Sequence, residues 1–442
     1  MRIAVIGTGV AGLATAWLLA RRHDVTVYER ETRLGGHSNT VDTHWPMPGG
    51  ARTVPVDTGF IVYNTLNYPN LTALFDTLGV ATKASTMSFA VSIDDGRLEY
   101  VGDETRLFVQ KRNLLRPRYL RMLLDIVRFN RLARRALEQG TAESLRIAGT
   151  SLGDWLAAER FSRAFMDDHI LPIAAAIWSC PVETMLAFPA ASFLAFFRNH
   201  GLLQIKDRPQ WRTVEGGSRS YVQRLAEPLA GKLRLGTPVR SVARDRRTVI
   251  VTDGAGHADR FDQAVIAAHA DEALAMLEAP TPDERQVLGA FGYQENTAIL
   301  HADPHLMPRR RGVWAAWNYL ADRRKGSRDV SVTYWMNVLQ GIPAETPLFV
   351  SLNPLREPAA ATTFGRFTYH HPVFDGAAVA AQSRLASLQG RGGIWFCGSY
   401  CGYGFHEDAL AAGQRVARAL GCAAPWDLAP PGGDDALALA AD

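Results

Sequence analysis

Gly7, Gly9, Gly12 and Glu29 are spaced for one piece of chemistry, the holding of a dinucleotide. In the run Gly7-Thr8-Gly9-Val10-Ala11-Gly12, the first glycine permits a tight turn and the second lets backbone come up to a pyrophosphate. The third lets the next helix lie close to a sheet. The amides of Val10 and Ala11, at the start of that helix, offer donors and a partial positive charge to the phosphates. Glu29 follows at about the 20-residue spacing at which an acid takes ribose hydroxyls. A carboxylate there repels a 2′-phosphate, so NADP is not expected, while FAD and NAD both stay open. A glycine turn that binds nothing is the competing reading, and the flanking elements argue against it.

Those elements form a complete unit. The run 2–6 (RIAVI) is short, β-branched and apolar, as a buried parallel strand requires. A helix is predicted over 13–22 and a second strand over 24–29, which puts the acid at a strand end. Farther along, 41–64 alternates in two strand-like halves around a Pro/Gly turn and sets Thr58 and Gly59 just past the second half. A glycine there marks either a bulge or the close approach of a ligand. The run 393–398 (GIWFCG) reads as another buried strand, followed by a glycine-rich turn and a helix from 408. It repeats the opening logic. Gly398 and Ser399 allow backbone approach, and the amides of His406, Glu407 and Asp408 would stabilise negative charge on a bound ring. The side chains of His406 and Glu407 are the candidate acid–base groups. Two aromatic strand-like runs, 312–320 and 330–339, bring forward Trp317 and Trp335 as rings that could sandwich a substrate, with core aromatics of a large sheet as the alternative.

The sequence GTGVAG, followed by YERETRLGGHSNT, resembles the flavin-containing amine oxidase and phytoene desaturase superfamily. The resemblance implies FAD as cofactor. Arg33, Gly35 and Gly36 match an R-x-G-G motif that adds phosphate contacts, with Ser38 close by and His37 where the amine oxidases usually have arginine. It implies a flavin-side position for Thr58 and Gly59, and a valine whose backbone pairs with adenine, for which Val239 and Val242 are the candidates. The whole chain, including Asp57-Thr58-Gly59-Phe60 and the run from Gly398 to Asp408, looks like bacterial FAD-binding oxidoreductases linked with cyclopropane-fatty-acid-type lipid methyltransferases. A lipid methyltransferase in the same pathway is therefore an expected partner. The implied fold class is α/β: a Rossmann-type FAD-binding domain with a discontinuous α+β substrate domain and a mostly helical insertion. Residues 1–65, 211–272 and 391–424 are assigned to the FAD-binding domain, 66–210 to the substrate and helical part, 273–390 to the substrate sheet, and 425–442 to a flexible tail.

Composition bounds the partners. The 442 residues carry 48 basic and 44 acidic side chains, and a net charge of +4 implies no nucleic-acid partner. Four scattered cysteines suggest neither a disulfide framework nor a metal site. A strand beginning at residue 2 leaves no room for a signal peptide, so a cytoplasmic location is expected. Between 106 and 135, however, ten basic residues stand against one acid, Asp125, interleaved with leucines and Phe129. A basic amphipathic helix of that kind can lie on an anionic membrane surface, with leucine and phenylalanine in the acyl boundary and arginines at phosphate level. That would place the protein peripherally on the inner face of a membrane; a core helix with a solvated arginine face is the alternative. Residues 171–197 are very apolar, but Pro172, Pro181, Glu183 and Pro189 interrupt them short of the ~20 unbroken residues a span needs. Short broken helices suit the wall of a lipid-sized tunnel, or an ordinary core.

Three activities compete. The leading one is an FAD-dependent oxidoreductase that desaturates or isomerises an unsaturated or methyl-branched fatty acyl chain of a membrane lipid. A soluble flavin amine oxidase is second. It shares the motifs, but the lysine such enzymes use has no persuasive match: Lys206 precedes Asp207, and Lys325 sits in a charged run. A non-catalytic FAD-bound adaptor for a membrane or partner is third.

Overall fold

A computed structural model describes residues 1–427 apart from 49, 104–105, 139–141, 148, 205–208 and 324–330. The apolar run Arg2–Ile6 is the middle strand of a five-stranded parallel sheet, between Asp24–Tyr28 on one side and Gln263–Ile266 on the other, with Leu233–Arg234 and Ile394–Phe396 at the edges. Strand order therefore reverses at Arg2–Ile6, and the crevice at the carboxyl end of such a reversal is where open α/β sheets take ligands. The first helix, Val10–Leu19, leaves from that end. It starts three residues earlier than its apolar periodicity suggests, because Gly9 already has the extended cap conformation (φ −60°, ψ 174°). The C-terminal helix, His406–Ala419, packs along it, with Gly413 facing Thr15 and Ala11 where a side chain would not fit.

The second large sheet has seven strands in the spatial order Thr363–Val373, Gly292–His301, Phe349–Leu352, Ser331–Trp335, Trp317–Ala321, Phe89–Ile93, Leu98–Val101. Its strands come from two separate stretches of chain, so the chain enters this part of the molecule twice. The two aromatic runs are shorter strands than expected. A 3-10 turn, Arg311–Val313, precedes the first, and the second gives way at Met336 to a short helix in which Asn337 holds the following loop through its side chain.

Between Leu98–Val101 and Trp211–Val214 the chain forms a group of helices. The basic stretch divides into a 3-10 turn, Lys111–Leu115, and a long helix, Pro117–Ala136. Proline at the first helical position forces Arg116 out of the helical region (φ −105°, ψ 108°) and fixes the break. The inner face of the long helix buries Tyr119, Met122, Phe129 and Ala133. Phe129 is 2% exposed and packs on Trp155, Phe161, Phe165 and Phe197, so the expectation that it enters an acyl boundary is corrected: it belongs to the core. No helix among the described residues is long and apolar enough to cross a membrane. Most of the expected tail, 428–442, lies outside the described residues.

Candidate active site

The glycine turn has two kinds of glycine. A Cβ on Gly7 (φ +102°) would overlap the carbonyl oxygen of Ala267, and one on Gly12 would overlap that of Gly7. Both are required by the protein's own packing. A Cβ on Gly9 would meet nothing within 4 Å. Beside that open space, the amide of Gly35 donates to the carbonyl of Thr8 (3.1 Å), and the side-chain position of Gly36 lies 3.2 Å from the Cα of Gly9. Two glycine loops thus frame one gap at the start of the first helix, beside Val10 and Ala11. Arg33 folds back so that its guanidinium donates to the carbonyl of Gly36 (2.9 Å), which tightens the second loop.

Glu29, only 8% exposed, stands at the end of its strand. Its carboxylate accepts from the amide and hydroxyl of Thr8 and from the amide of Glu31 (2.9 Å). A carboxylate has about four acceptor positions, so capacity remains for a ribose diol. The chain leading to Val239 is tied to the same place, since Glu29 donates to Arg234 and Thr237 donates to Glu29 through backbone. Val239 is thereby set at the Glu29 end of the site. Val242 is corrected: it is 1% exposed, and its carbonyl already accepts from the amide of Glu278 (3.2 Å).

At the other end, the turn after Ile394–Phe396 contributes Gly398 and Ser399 and leads into the C-terminal helix. Asp408 accepts from the amide of Phe405 (2.9 Å) and holds the turn closed; burial pushes its carboxyl up to about 6. His406 was a candidate acid–base group, and the structure gives its ring a set of packing and hydrogen-bond partners. Its Nε2 lies 3.0 Å from the hydroxyl of Ser38 and 3.1 Å from that of Tyr221, and its ring stacks 3.9 Å from Phe60. Burial holds its pKa down at about 3, and its hydrogen bonds join the second loop to the C-terminal helix. Glu407, the other candidate, is likewise engaged. Its carboxylate accepts from the amides of Asn70 (2.9 Å) and Leu71 (3.0 Å) and from the Asn70 side chain, capping the helix Pro69–Leu78, whose own cap residue, Tyr68, contributes no side-chain bond. Cys401 keeps its proton, its thiol pushed up to about 11 by burial.

Between these ends sits His37. Its carbonyl accepts from the amide of Phe60 (2.8 Å) and lies where a Gly59 side chain would be, which is why a glycine is needed there. Thr58 donates to Asn39 and meets the hydroxyl of Tyr369 (2.7 Å). The His37 ring lies 5.0 Å from Tyr369, 5.5 Å from His371 and 6.3 Å from His269. Burial and the neighbouring imidazoles depress His37 well below the usual histidine value, and burial holds His371 at about 4. The side-chain amide of Asn296 donates to His371 Nδ1 (2.9 Å) while its oxygen accepts from Asn353 (2.7 Å), which leaves the His371 proton on Nε2. Sequence reading missed Asn296, His371, Tyr369 and Tyr221, because each sits in a strand or helix with no local motif to mark it. A cavity of about 950 Å³ is lined in part by Gln294, Asn296 and Asn353, and carries both acidic side chains (Asp95, Glu295, Asp322, Glu357) and basic ones (Arg309, Arg356, Arg366).

Trp317 and Trp335 are not brought together. The register pairs Trp317 with Tyr334, so Trp335 points to the opposite face, where it packs on Trp314 (5.4 Å) under the guanidinium of Arg311. The sandwich is excluded by the period of two. Lys206 and Lys325 lie outside the described residues.

The family model for flavin containing amine oxidoreductases matches residues 10–310, more than half of the chain. A protein of Mycobacterium tuberculosis named for flavin-containing monoamine oxidases is 28% identical over 298 residues, 65% of this chain and 61% of that protein. The match thus spans less than two thirds of that relative's length. Among solved structures, cyclohexylamine oxidase from Brevibacterium oxydans superposes with a TM-score of 0.67 at 17% identity, covering 95% of this chain and 98% of the other. The CLA-producing fatty acid isomerase from P. acnes superposes with a TM-score of 0.65 at 16% identity, covering 94% and 98%. Both share the mixed α/β fold.

Proposed function

We propose that this chain, which belongs to the flavin containing amine oxidoreductase family and is an FAD-dependent oxidoreductase, acts on an unsaturated or methyl-branched fatty acyl chain by dehydrogenation or double-bond migration. Family membership sets the adaptor reading aside. The residues present fit the cofactor: the open gap over Gly9, the buried Glu29 and the C-terminal helix start together suit a molecule with a pyrophosphate, a ribose and a polar ring edge. When bound, FAD supplies a two-electron acceptor.

The chain's own residues provide position and an electrically quiet surrounding. The observation that carries the acyl reading is an aromatic wall beside the C-terminal turn. Phe196 lies 5.2 Å from Phe405 and 5.7 Å from Tyr403, and Trp178 lies 4.9 Å from Phe188 and 4.6 Å from Phe196. Trp178, Phe188 and Phe196 are core side chains, so the part of this wall offered to a hydrocarbon is the part-exposed Tyr403 and Phe405, backed by an apolar core that keeps water out. The ring of His37, His371, Tyr369 and Asn296 contains no carboxylate. That the same fold serves a fatty acid isomerase adds support. A likeness to proteins linked with lipid methyltransferases favours a methylated chain.

Expression in a host whose lipids carry such chains, with acyl profiles compared by mass spectrometry, tests this. New diene or shifted-alkene species are expected. Unchanged profiles, with rapid flavin reduction by a primary amine, would give the site to the second reading, amine oxidation. That reading is favoured by the carboxylates in the cavity lining, Asp95, Glu295, Asp322 and Glu357, of which Glu295 adjoins Asn296, and by the name of the 28% identical relative. Glu295→Gln separates the two: amine oxidation loses at least tenfold in kcat/KM, and acyl conversion is unchanged.

A further inference from the structure

Six of the ten large hydrophobic side chains exposed among the described residues fall within 108–127: Phe108, Leu114, Leu115, Leu120, Leu124 and Val127. Clustering of that degree marks an interaction surface, since single exposed apolar residues are otherwise scattered. Leu120, Leu124 and Val127 follow the i, i+4, i+7 spacing of one helical stripe, opposite the buried Met122, Phe129 and Ala133. Leu115, 86% exposed, stands in the turn just before the helix, and Leu124 and Val127 are 68% and 63% exposed.

The charges on this face have one sign. Asp125, the only acid between 106 and 137, is turned inward, where it accepts from the amide of Ser162 (3.1 Å) and is 2% exposed. Arg118 and Arg128 are likewise drawn to the protein, to Asp168 and Glu159. Lys111, Arg131 and Arg135 remain on the exposed side, and Arg121, about half exposed, reaches back to Asp125 (3.3 Å). A second copy of the chain docking here would set these cations against their own kind. An anionic partner with an apolar interior would satisfy both the leucines and the cations.

We infer that the outer face of Lys111–Ala136 docks on an anionic phospholipid bilayer, with Leu115, Leu120, Leu124 and Val127 in the acyl boundary and the flanking basic residues at phosphate level. Basic residues near such a surface add attraction that salt weakens. The inference rests on exposure and charge, and stands whether the substrate is an acyl chain or an amine.

The test is co-sedimentation of the FAD-loaded protein with vesicles of phosphatidylglycerol or of phosphatidylcholine, at low and high salt. Binding to phosphatidylglycerol should exceed binding to phosphatidylcholine at least tenfold and weaken with salt. The double variants Leu124→Asp/Val127→Asp and Arg131→Glu/Arg135→Glu should each lose at least tenfold while keeping their flavin absorbance. Equal binding to both lipids, no binding to either, or variants that bind like the parent would overturn it. So would a dimer, seen by light scattering, that Leu124→Asp dissociates, because the face would then belong to a second copy.

Discussion

Gly9 and Gly12 stand three residues apart in one turn, and the structure predicts different consequences for filling them. A Cβ on Gly12 would run into the backbone of Gly7 and come within 3.1 Å of the Ala267 side chain. Neither can retreat without separating helix from sheet, so Gly12→Ala is an overpacking change costing ~1–3 kcal/mol or more. At Gly9 the space is open and φ is −60°, comfortable for any L-residue. Gly9→Leu should change the stability of the FAD-free protein by no more than ~0.5 kcal/mol. With cofactor the order reverses. FAD at a thousand times its Kd adds ~4 kcal/mol to the native state by mass action, and a leucine in the pyrophosphate's place removes that whole increment. Urea unfolding with and without added FAD, together with flavin absorbance per protein on purification, reads both effects. Gly9→Leu should be colourless and indifferent to FAD, yet fold as well as the FAD-free parent. A yellow Gly9→Leu, or one as unstable as Gly12→Ala, would refute the assignment of the gap to phosphate.

Three further outcomes follow from the site. Burial holds His406 at about 3 and His371 at about 4, so below an unfolded value near 6.5 the unfolded chain takes up protons that the native chain refuses, and stability falls as pH drops through that window. Asp57 and Asp408, pushed up to about 6, act in the opposite sense, their native protonation being lost as pH rises through that value, so replacement isolates the histidine slope. Urea unfolding of His406→Phe should lose ~2 kcal/mol less than the parent between pH ~6.5 and ~5, and equal losses would count against a buried neutral imidazole. Glu407→Ala should cost ~1–2 kcal/mol through the lost helix cap and leave the shape of the pH–rate profile intact; a vanished limb with normal stability would mark Glu407 as an acid–base group. Trp335→Ala should lower thermal stability without changing flavin reduction by substrate, and a selective loss of turnover would place that ring in the site after all.

The parts of the site that were legible in the sequence are those whose function requires a backbone shape. Glycines at 7, 9, 12, 35 and 36 announce turns, and an acid after a strand announces a ribose, because few other residues allow those conformations and contacts. The ring around His37 is different. Asn296, Tyr369 and His371 lie on the same face of two antiparallel strands, paired Asn296 with Tyr369, and no local pattern encodes which strand lies beside which. The tryptophans show the limit from the other side: period two assigned Trp317 and Trp335 to faces within each run, but the pairing of Trp317 with Tyr334 decided that the two rings diverge. The basic window was read by composition, which records arginines without revealing that several turn inward to Asp168, Glu159 and the Leu203 carbonyl.

His37 links the cofactor question to the substrate question. The resemblance leads one to expect arginine at this position. Here His371, His269 and Tyr369 surround it within 6.3 Å, and the carboxylates nearest these histidines are already committed or peripheral. Glu272 pairs with Arg30, and Glu295 lines the cavity, 3.5 Å from His370. Among these side chains a guanidinium at 37 would find no carboxylate and would depend on a cofactor phosphate for its partner, whereas a neutral imidazole held by aromatic and amide neighbours needs none. The same reasoning applies to whatever enters. An ammonium brought to this ring would be desolvated among neutral side chains, since Glu295 pairs with His370 on the other face of the two strands, while a hydrocarbon has no such hydration to lose. The neutrality of the ring thus favours an uncharged reacting carbon, and the fate of Glu295→Gln shows whether the protein uses that carboxylate of the cavity or leaves it idle.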